Sequence, residues 1–231
     1  MELILNKRPK NAVIIEGFPG VGFIGSIATE FLIEHLKAEP IGKIRVREQM
    51  PIVAVHNSKI IDPFGIFYSK QYNLIILRAI APVTKMEWEI TDAVEKLAQE
   101  LQAKEIISIE GIASANDDSK VYYYSKKNSS KFDKLSIEGL KEGVIMGVTA
   151  SLLLKDKLPS SCIFVETHSK LPDSRGAAKI VETLDKYLGL KVDPNPLVKK
   201  AEELETKLKA MMQQGKVTQE EADAKQLDYL G

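Results

Sequence analysis

The chain is expected to fold as an α/β unit, a layered mixed and mostly parallel sheet flanked by helices, followed by a C-terminal helical extension. Three observations lead there. Short β-branched runs alternate with amphipathic stretches of helical period, the pattern of strand–helix–strand units. That alternation stops at Pro194 and Pro196, two residues apart, beyond which the hydrophobic period changes. The 231 residues, 44% hydrophobic and 28% charged, are enough to bury a core without covalent staples.

Residues 11–16 (NAVIIE) form a β-branched run ending at Gly17, which predicts a buried strand. Residues 21–37 place Phe23, Ile24, Ile27, Phe31, Leu32 and Leu36 at helical spacing. Residues 44–48 alternate apolar and charged, as a half-exposed strand does. Residues 51–55, 60–68 and 73–80 read as further strands, and their close spacing predicts an antiparallel or mixed portion of the sheet. From Met86 onward Ile90, Ala93, Val94, Leu97 and Leu101 share one helical face. Residues 105–110 (EIISIE) predict a strand, 113–134 a polar irregular stretch, 139–154 a helix rich in small residues, and 161–166 the last strand. Residues 173–188 then form a helix with Asp173 or Ser174 as N-cap.

The boundary at 193–196 divides the chain into residues 1–192, the α/β domain, and 193–231, an extension and tail. In the extension Leu197, Ala201, Leu204, Leu208 and Met211 are spaced as a short coiled-coil seam, of about two heptads. Thr218 followed by Glu221 reads as a capping box for one more helical piece.

Charge excludes several functions. Lys plus Arg and Asp plus Glu are 32 each, so a protein that works by coating nucleic acid or an anionic membrane is not expected. One cysteine makes neither an internal disulfide nor a cysteine metal cluster. The first ten residues hold an apolar run too short for a signal peptide, and no apolar stretch nears the ~20 residues that span a bilayer, so the expected location is cytoplasmic.

Between the first strand and helix, Gly20-Val-Gly22-Phe-Ile-Gly25 matches the spacing GxGxxG. In a dinucleotide site such glycines admit a pyrophosphate at the helix N-terminus, and Glu48 ends the next strand where a ribose partner would stand. Against this, residues 44–48 alternate, and Phe18-Pro19 widens the turn. The competing reading is a glycine turn that packs helix on strand. The absence of a following lysine excludes a P-loop. Glu16, Glu110 and Glu166 each close a strand, with His168 two residues after the last. Such residues could serve acid–base chemistry, or could cap helix N-termini and bind backbone amides. The second is favoured, because Ser26, Ser114 and Ser169 form no nucleophile elbow. His35, His56 and His168 have no zinc spacing, and Cys162 reads as core. Residues 120–134 interleave Tyr122, Tyr123 and Tyr124 with lysines, a weak pattern for base stacking that reads better as a strand with a solvated loop.

The stretch Glu16-Gly17-Phe18-Pro19-Gly20-Val-Gly22-Phe-Ile-Gly25, running into SIATEFLIEHL, resembles the opening of the proteasome assembly chaperone family in its archaeal homologues. QMPIV at 49–53, GVIMGVTASLLL at 143–154, Glu166-Thr, Pro172-Asp and Ala177-Ala178 follow in the family's order, so the resemblance spans residues 11–208. It implies a nucleoside-phosphorylase-like α/β fold without a catalytic role or cofactor. It also implies ATP-independent binding to the α-subunits of the proteasome core particle, as a homo-oligomer with a tetramer among the candidates. Some activators and chaperones dock through a C-terminal hydrophobic–Tyr–any tail. Here Leu227, Tyr229, Leu230 and Gly231 would play that part, although Tyr229 is third rather than second from the end. The Leu197–Met211 seam would hold copies together. The alternative is a nucleotide- or nucleoside-binding protein, or a phosphorylase-like enzyme, that uses the Gly20–Gly25 loop and the strand-end glutamates.

Overall fold

The computed structural model describes residues 1–47, 51–56, 58–114, 120–155, 158–167 and 172–196, with Lys199 and Ala210 beyond them. The seam residues Leu197, Ala201, Leu204, Leu208 and Met211, the tail residues Leu227, Tyr229, Leu230 and Gly231, the Thr218–Glu221 cap, and Glu48, His168 and Ser169 lie outside the described residues.

A nine-stranded mixed sheet runs through the centre, in the order β1-β3-β6-β7-β2-β8-β11-β9-β10. Its middle is parallel: β2 (Val13–Gly17) lies between β7 (Leu74–Ala79) and β8 (Glu105–Ala113), and β8 pairs with β11 (Ser160–Thr167). One margin is antiparallel, formed by β1 (Glu2–Leu5), β3 (Glu39–Arg45) and β6 (Phe64–Ser69). The other carries β9 (Val121–Ser125), antiparallel to β11, and the two-residue β10 (Glu138–Gly139). A small separate hairpin joins β4 (Ala54–His56) to β5 (Lys59–Ile61).

Side-chain alternation along the central strands fills two cores. On one face Ile15, Ile107, Ile109, Ile163 and Val165 meet α1 (Ile24–His35) and α5 (Ser174–Leu188). On the other face Ile14, Ile75, Leu77 and Ile106 meet α2 (Glu87–Leu101) and α4 (Gly147–Leu154). Strands covered on both sides are apolar at most positions, which explains the β-branched runs, and their few buried polar residues, such as Glu16 and Ser108, stand out against them. Asp173 caps α5, its carboxylate accepting the Gly176 N–H at 2.8 Å. After α5 the chain returns to the first core at Leu190 and Val192, and the Val192 N–H donates to Asp185 at 3.0 Å.

Several elements differ from expectation. The N-terminal residues are a strand, because β1 completes the ladder of β3. That ladder also moves β3 earlier than 44–48, to Glu39–Arg45. Residues 113–134 are not irregular throughout: β9 lies against β11, and α3 (Ser129–Lys134) follows it. Phe132 of α3 is fully buried between the rings of Tyr123 and Tyr187, with centroids at 4.6 and 4.3 Å. The helix expected over 139–154 begins only at Gly147. Glu138–Gly139 joins β9 instead, the Leu140 N–H bonds the Tyr123 carbonyl at 2.7 Å, and Val144 and Ile145 favour extended backbone. Gly147, with φ +75°, turns the chain into α4.

Candidate functional site

The glycine loop is a packing device. Val21–Phe23 form one 3-10 turn before α1, and Gly22 has φ +66°. A Cβ on Gly17 would stand 2.5 Å from the Gly25 carbonyl oxygen, and one on Gly25 would stand 2.8 Å from that of Ile109. Strand β2, helix α1 and strand β8 therefore approach backbone to backbone. Gly111 does the same for the turn, since its Cβ would meet the Val21 oxygen at 2.4 Å. The loop before α5 closes over the turn through the Asp173 N–H, bonded to the Gly22 carbonyl at 2.8 Å. At the other two glycines of the motif the neighbours are side chains, Glu110 at Gly20 and Thr167 and Asp173 at Gly22, so the protein's own groups crowd all three.

Of the three acidic residues, Glu16 and Glu166 stand one residue before the ends of β2 and β11. Glu110 does not end its strand, because pairing with β11 carries β8 on to Ala113. Glu16 and Glu110 are brought together on the α2–α4 face. The Glu16 carboxylate accepts from the Phe18 N–H at 3.1 Å and from the Ser108 hydroxyl, and Ser108 meets the Thr149 hydroxyl at 2.8 Å. For Glu110 burial is the larger influence, and the Thr149 hydroxyl opposes it. One Glu110 oxygen, Oε2, is buried without a hydrogen-bond partner. Burial raises both carboxyls to about 7, and for Glu16 the charge of Glu110 adds to the rise. Glu166 accepts from the Lys120 N–H at 3.4 Å and the Tyr122 hydroxyl at 3.5 Å. Capping of helix N-termini is thus not the part these acids play: they bond a turn amide, hydroxyls and a strand-edge amide.

Glu110 and Glu166 also face a cleft of about 640 Å³ between the ends of β8 and β11 and residues 138–146. Glu138 and Glu142 add to its wall, with Lys141 as the cation beside them, so it has the wrong sign for a phosphate. Ser114 lines it, whereas Ser26 is buried elsewhere. No nucleophile is presented to the carboxyl pair among the described residues. Ser108 is 1% exposed beneath α4, and burial pushes the Cys162 thiol up, away from thiolate. No group of three or more His, Cys, Asp or Glu residues among the described residues is placed to hold a metal ion.

The tyrosines of β9 alternate sides. Tyr122 turns to the cleft, Tyr123 is buried in the Phe132 stack, and Tyr124 is exposed, so they do not make one stacking platform. Neither Ser108 nor Thr149 is singled out as a site residue by the sequence, although Thr149 lies in the stretch GVIMGVTASLLL. The signal for Ser108 is a lone hydroxyl inside the apolar run EIISIE, facing the same side as Glu110.

Among known proteins, the family model described as PAC2 family matches residues 14–212. A protein of Methanocaldococcus jannaschii without an assigned function is 28% identical over 209 residues, covering 89% of this chain and 87% of that one. The crystal structure of Pyrococcus furiosus PbaA, an archaeal homolog of proteasome-assembly chaperone, has a TM-score of 0.83 at 30% identity, covering 94% of this chain and 99% of that chain. Pyrococcus furiosus PbaB, an archaeal proteasome activator, shares the fold, with a TM-score of 0.74 at 23% identity over 91% and 98% of the two chains. With its glycine loop, its mixed sheet and this match over most of its length, the chain belongs to the PAC2 family.

Proposed function

We propose that the protein is a non-enzymatic, ATP-independent assembly chaperone or activator of the proteasome, acting in the cytoplasm as a homo-oligomer on the α-subunits of the core particle. The observation that carries this reading is the similarity to PbaA, an archaeal homolog of proteasome-assembly chaperone, at 30% identity over 94% of the chain. The sealed glycine turn and the acid-walled cleft agree with it, since neither offers a phosphate a place. No helix among the described residues is long and apolar enough to cross a membrane.

In this reading residues 1–192 form the scaffold and 193–231 the interaction module. The Leu197–Met211 seam joins copies. Leu227, Tyr229 and Leu230 enter pockets between α-subunits, and the carboxylate of Gly231 pairs with a pocket lysine. A short tail offers little contact area, so several tails on one oligomer supply the affinity through avidity.

Deleting residues 229–231 is expected to abolish co-purification with the proteasome core particle and to leave oligomer mass and melting temperature unchanged. Undiminished binding would assign docking to the globular face instead. For the seam, Leu204→Asp is expected to lower the oligomer mass seen by light scattering. An unchanged mass and melting point would reduce the seam to packing on its own domain.

A further inference from the structure

We infer that the β4–β5 hairpin of one copy of this chain seats in the acid-walled cleft of the next, so that copies join side by side through two unlike surfaces. This contact rests on the homo-oligomer proposed above and is independent of the proteasome as its target.

The hairpin is an element without a neighbour of its own. Its strands have three residues each and pair with one another, outside the nine-stranded sheet. A two-stranded ribbon of that size is marginal alone in water. Alternation sorts its apolar residues. Ile52, Ala54 and Ile61 are half-buried, and Ile52 packs on the second core. Val53, Val55 and Ile60 are exposed, Val55 at 68% and Ile60 at 70%, and these two stand opposite each other across the ribbon. The cleft carries a matching surface, since its wall includes Val144, 87% exposed, and Met146, 70% exposed. Clustered apolar side chains left in water mark surfaces that another protein covers.

Charge chooses the occupant. In the cleft Glu110, Glu138, Glu142 and Glu166 face a single lysine, Lys141. At the hairpin and the strand end beneath it the balance is reversed. Lys43 pairs with Asp62, Arg45 and Arg47 share Glu2, and Lys59 is exposed on β5, so four cations meet two carboxylates. Each surface thus has an apolar centre, and the two are opposite in charge. Each complements the other, and neither complements itself.

Placement makes the contact intermolecular. Strand β3 runs parallel to β2, because both are antiparallel to β6 or parallel to its partner β7. The hairpin after β3 and the cleft at the ends of β8 and β11 therefore lie at the same end of the sheet. Along the sheet β3 stands four places from β8 and seven from β10, which is about 20 and 35 Å at ~4.8 Å per strand. Three-residue strands span only about 10 Å, so the hairpin does not reach the cleft of its own chain. Unlike surfaces on opposite flanks give a head-to-tail contact, which closes into a ring when the rotation between copies allows.

The test mixes two full-length variants and reads mass by light scattering at matched concentration. Val55→Asp with Ile60→Asp spoils the hairpin and keeps the cleft. Glu138→Lys with Glu142→Lys spoils the cleft and keeps the hairpin. All four positions are exposed, so circular dichroism should be unchanged. Each variant alone is expected to fall below the wild-type mass. Mixed in equal amounts, they should regain mass as a species holding both in equal number, because the sound hairpin of one enters the sound cleft of the other. Lys59→Glu is expected to raise the concentration at half-assembly roughly tenfold or more. A wild-type monomer, unchanged mass in both double variants, or a mixture that regains nothing overturns the contact. Loss of core-particle binding by the hairpin variant at unchanged mass also overturns it, and assigns the hairpin to a different protein. Should a double variant unfold, an unshifted half-assembly concentration in Lys59→Glu overturns it alone. The mass pattern holding in a protein that never binds a core particle would leave this contact standing and remove the proteasome as target.

Discussion

Replacing Phe132 with alanine is expected to destabilise the fold by about 3–5 kcal/mol, read as a lower urea midpoint with an unchanged slope. The side chain is fully buried, and its ring is stacked on both faces, 4.6 Å from Tyr123 and 4.3 Å from Tyr187. Removing it leaves a cavity and ends two aromatic contacts of ~0.5–1.5 kcal/mol each. Collapse cannot fill the space readily, because both neighbours are tied elsewhere. The Tyr123 hydroxyl donates to Asp133 at 2.5 Å, and that of Tyr187 donates to Glu105 at 3.0 Å. Helix α3 has only six residues and depends on this side chain for its place. Lys134→Ala, two residues away on α3 and exposed, should stay within about 0.5 kcal/mol of wild type. A loss under about 1 kcal/mol for Phe132→Ala would mean that the stack does not hold α3.

Alanine at Gly17 is expected to cost about 3 kcal/mol, and alanine at Gly25 about one kcal/mol less. At Gly17 the new Cβ meets the Gly25 carbonyl oxygen at 2.5 Å and the Thr29 Cγ2 at 2.7 Å. At Gly25 it meets the Ile109 oxygen at 2.8 Å and the Gly17 Cα at 2.9 Å. Most of these neighbours are backbone, which cannot rotate aside, so α1 must lift from β2. Gly25 lies in a helix, where alanine gains back ~1 kcal/mol of propensity, and Gly17 has no such offset. Equal melting temperatures for wild type and Gly17→Ala would refute the close approach.

The central strands were legible because burial on both faces leaves long β-branched runs, as in VIIEG and EIISIEGIA. The cap of α5 was legible because Asp173 supplies a local oxygen to its own first turn. Strands β1 and β10 were not, since edge strands of four and two residues take their form from a neighbour rather than from their own pattern. The helix drawn over 139–154 was too long for a similar reason. The run of Gly143, Val144, Ile145 and Met146 is apolar in either conformation, and the pairing of the preceding Glu138–Gly139 with β9 was not visible in its period. For the site, the strand-end acids pointed to Glu16 and Glu110. The hydrogen bonds from Glu16 through Ser108 to Thr149 did not show, because Thr149 comes to Ser108 from a helix 41 residues away.

The return of Leu190 and Val192 to the core has a consequence for reach. The chain is pinned there by burial and by the bond from the Val192 N–H to Asp185, so the interaction module starts from a fixed root on the α1–α5 layer. Each residue after the root adds at most ~3.5 Å of span. In the proposed docking by tails, the distance from root to docking pocket, rather than the length of the whole chain, would set how many tails one particle engages at once. The root and α4 lie on opposite faces of the sheet, so in that proposal tension on a docked tail would bear on the α1–α5 layer first and reach the α2–α4 layer only through the sheet.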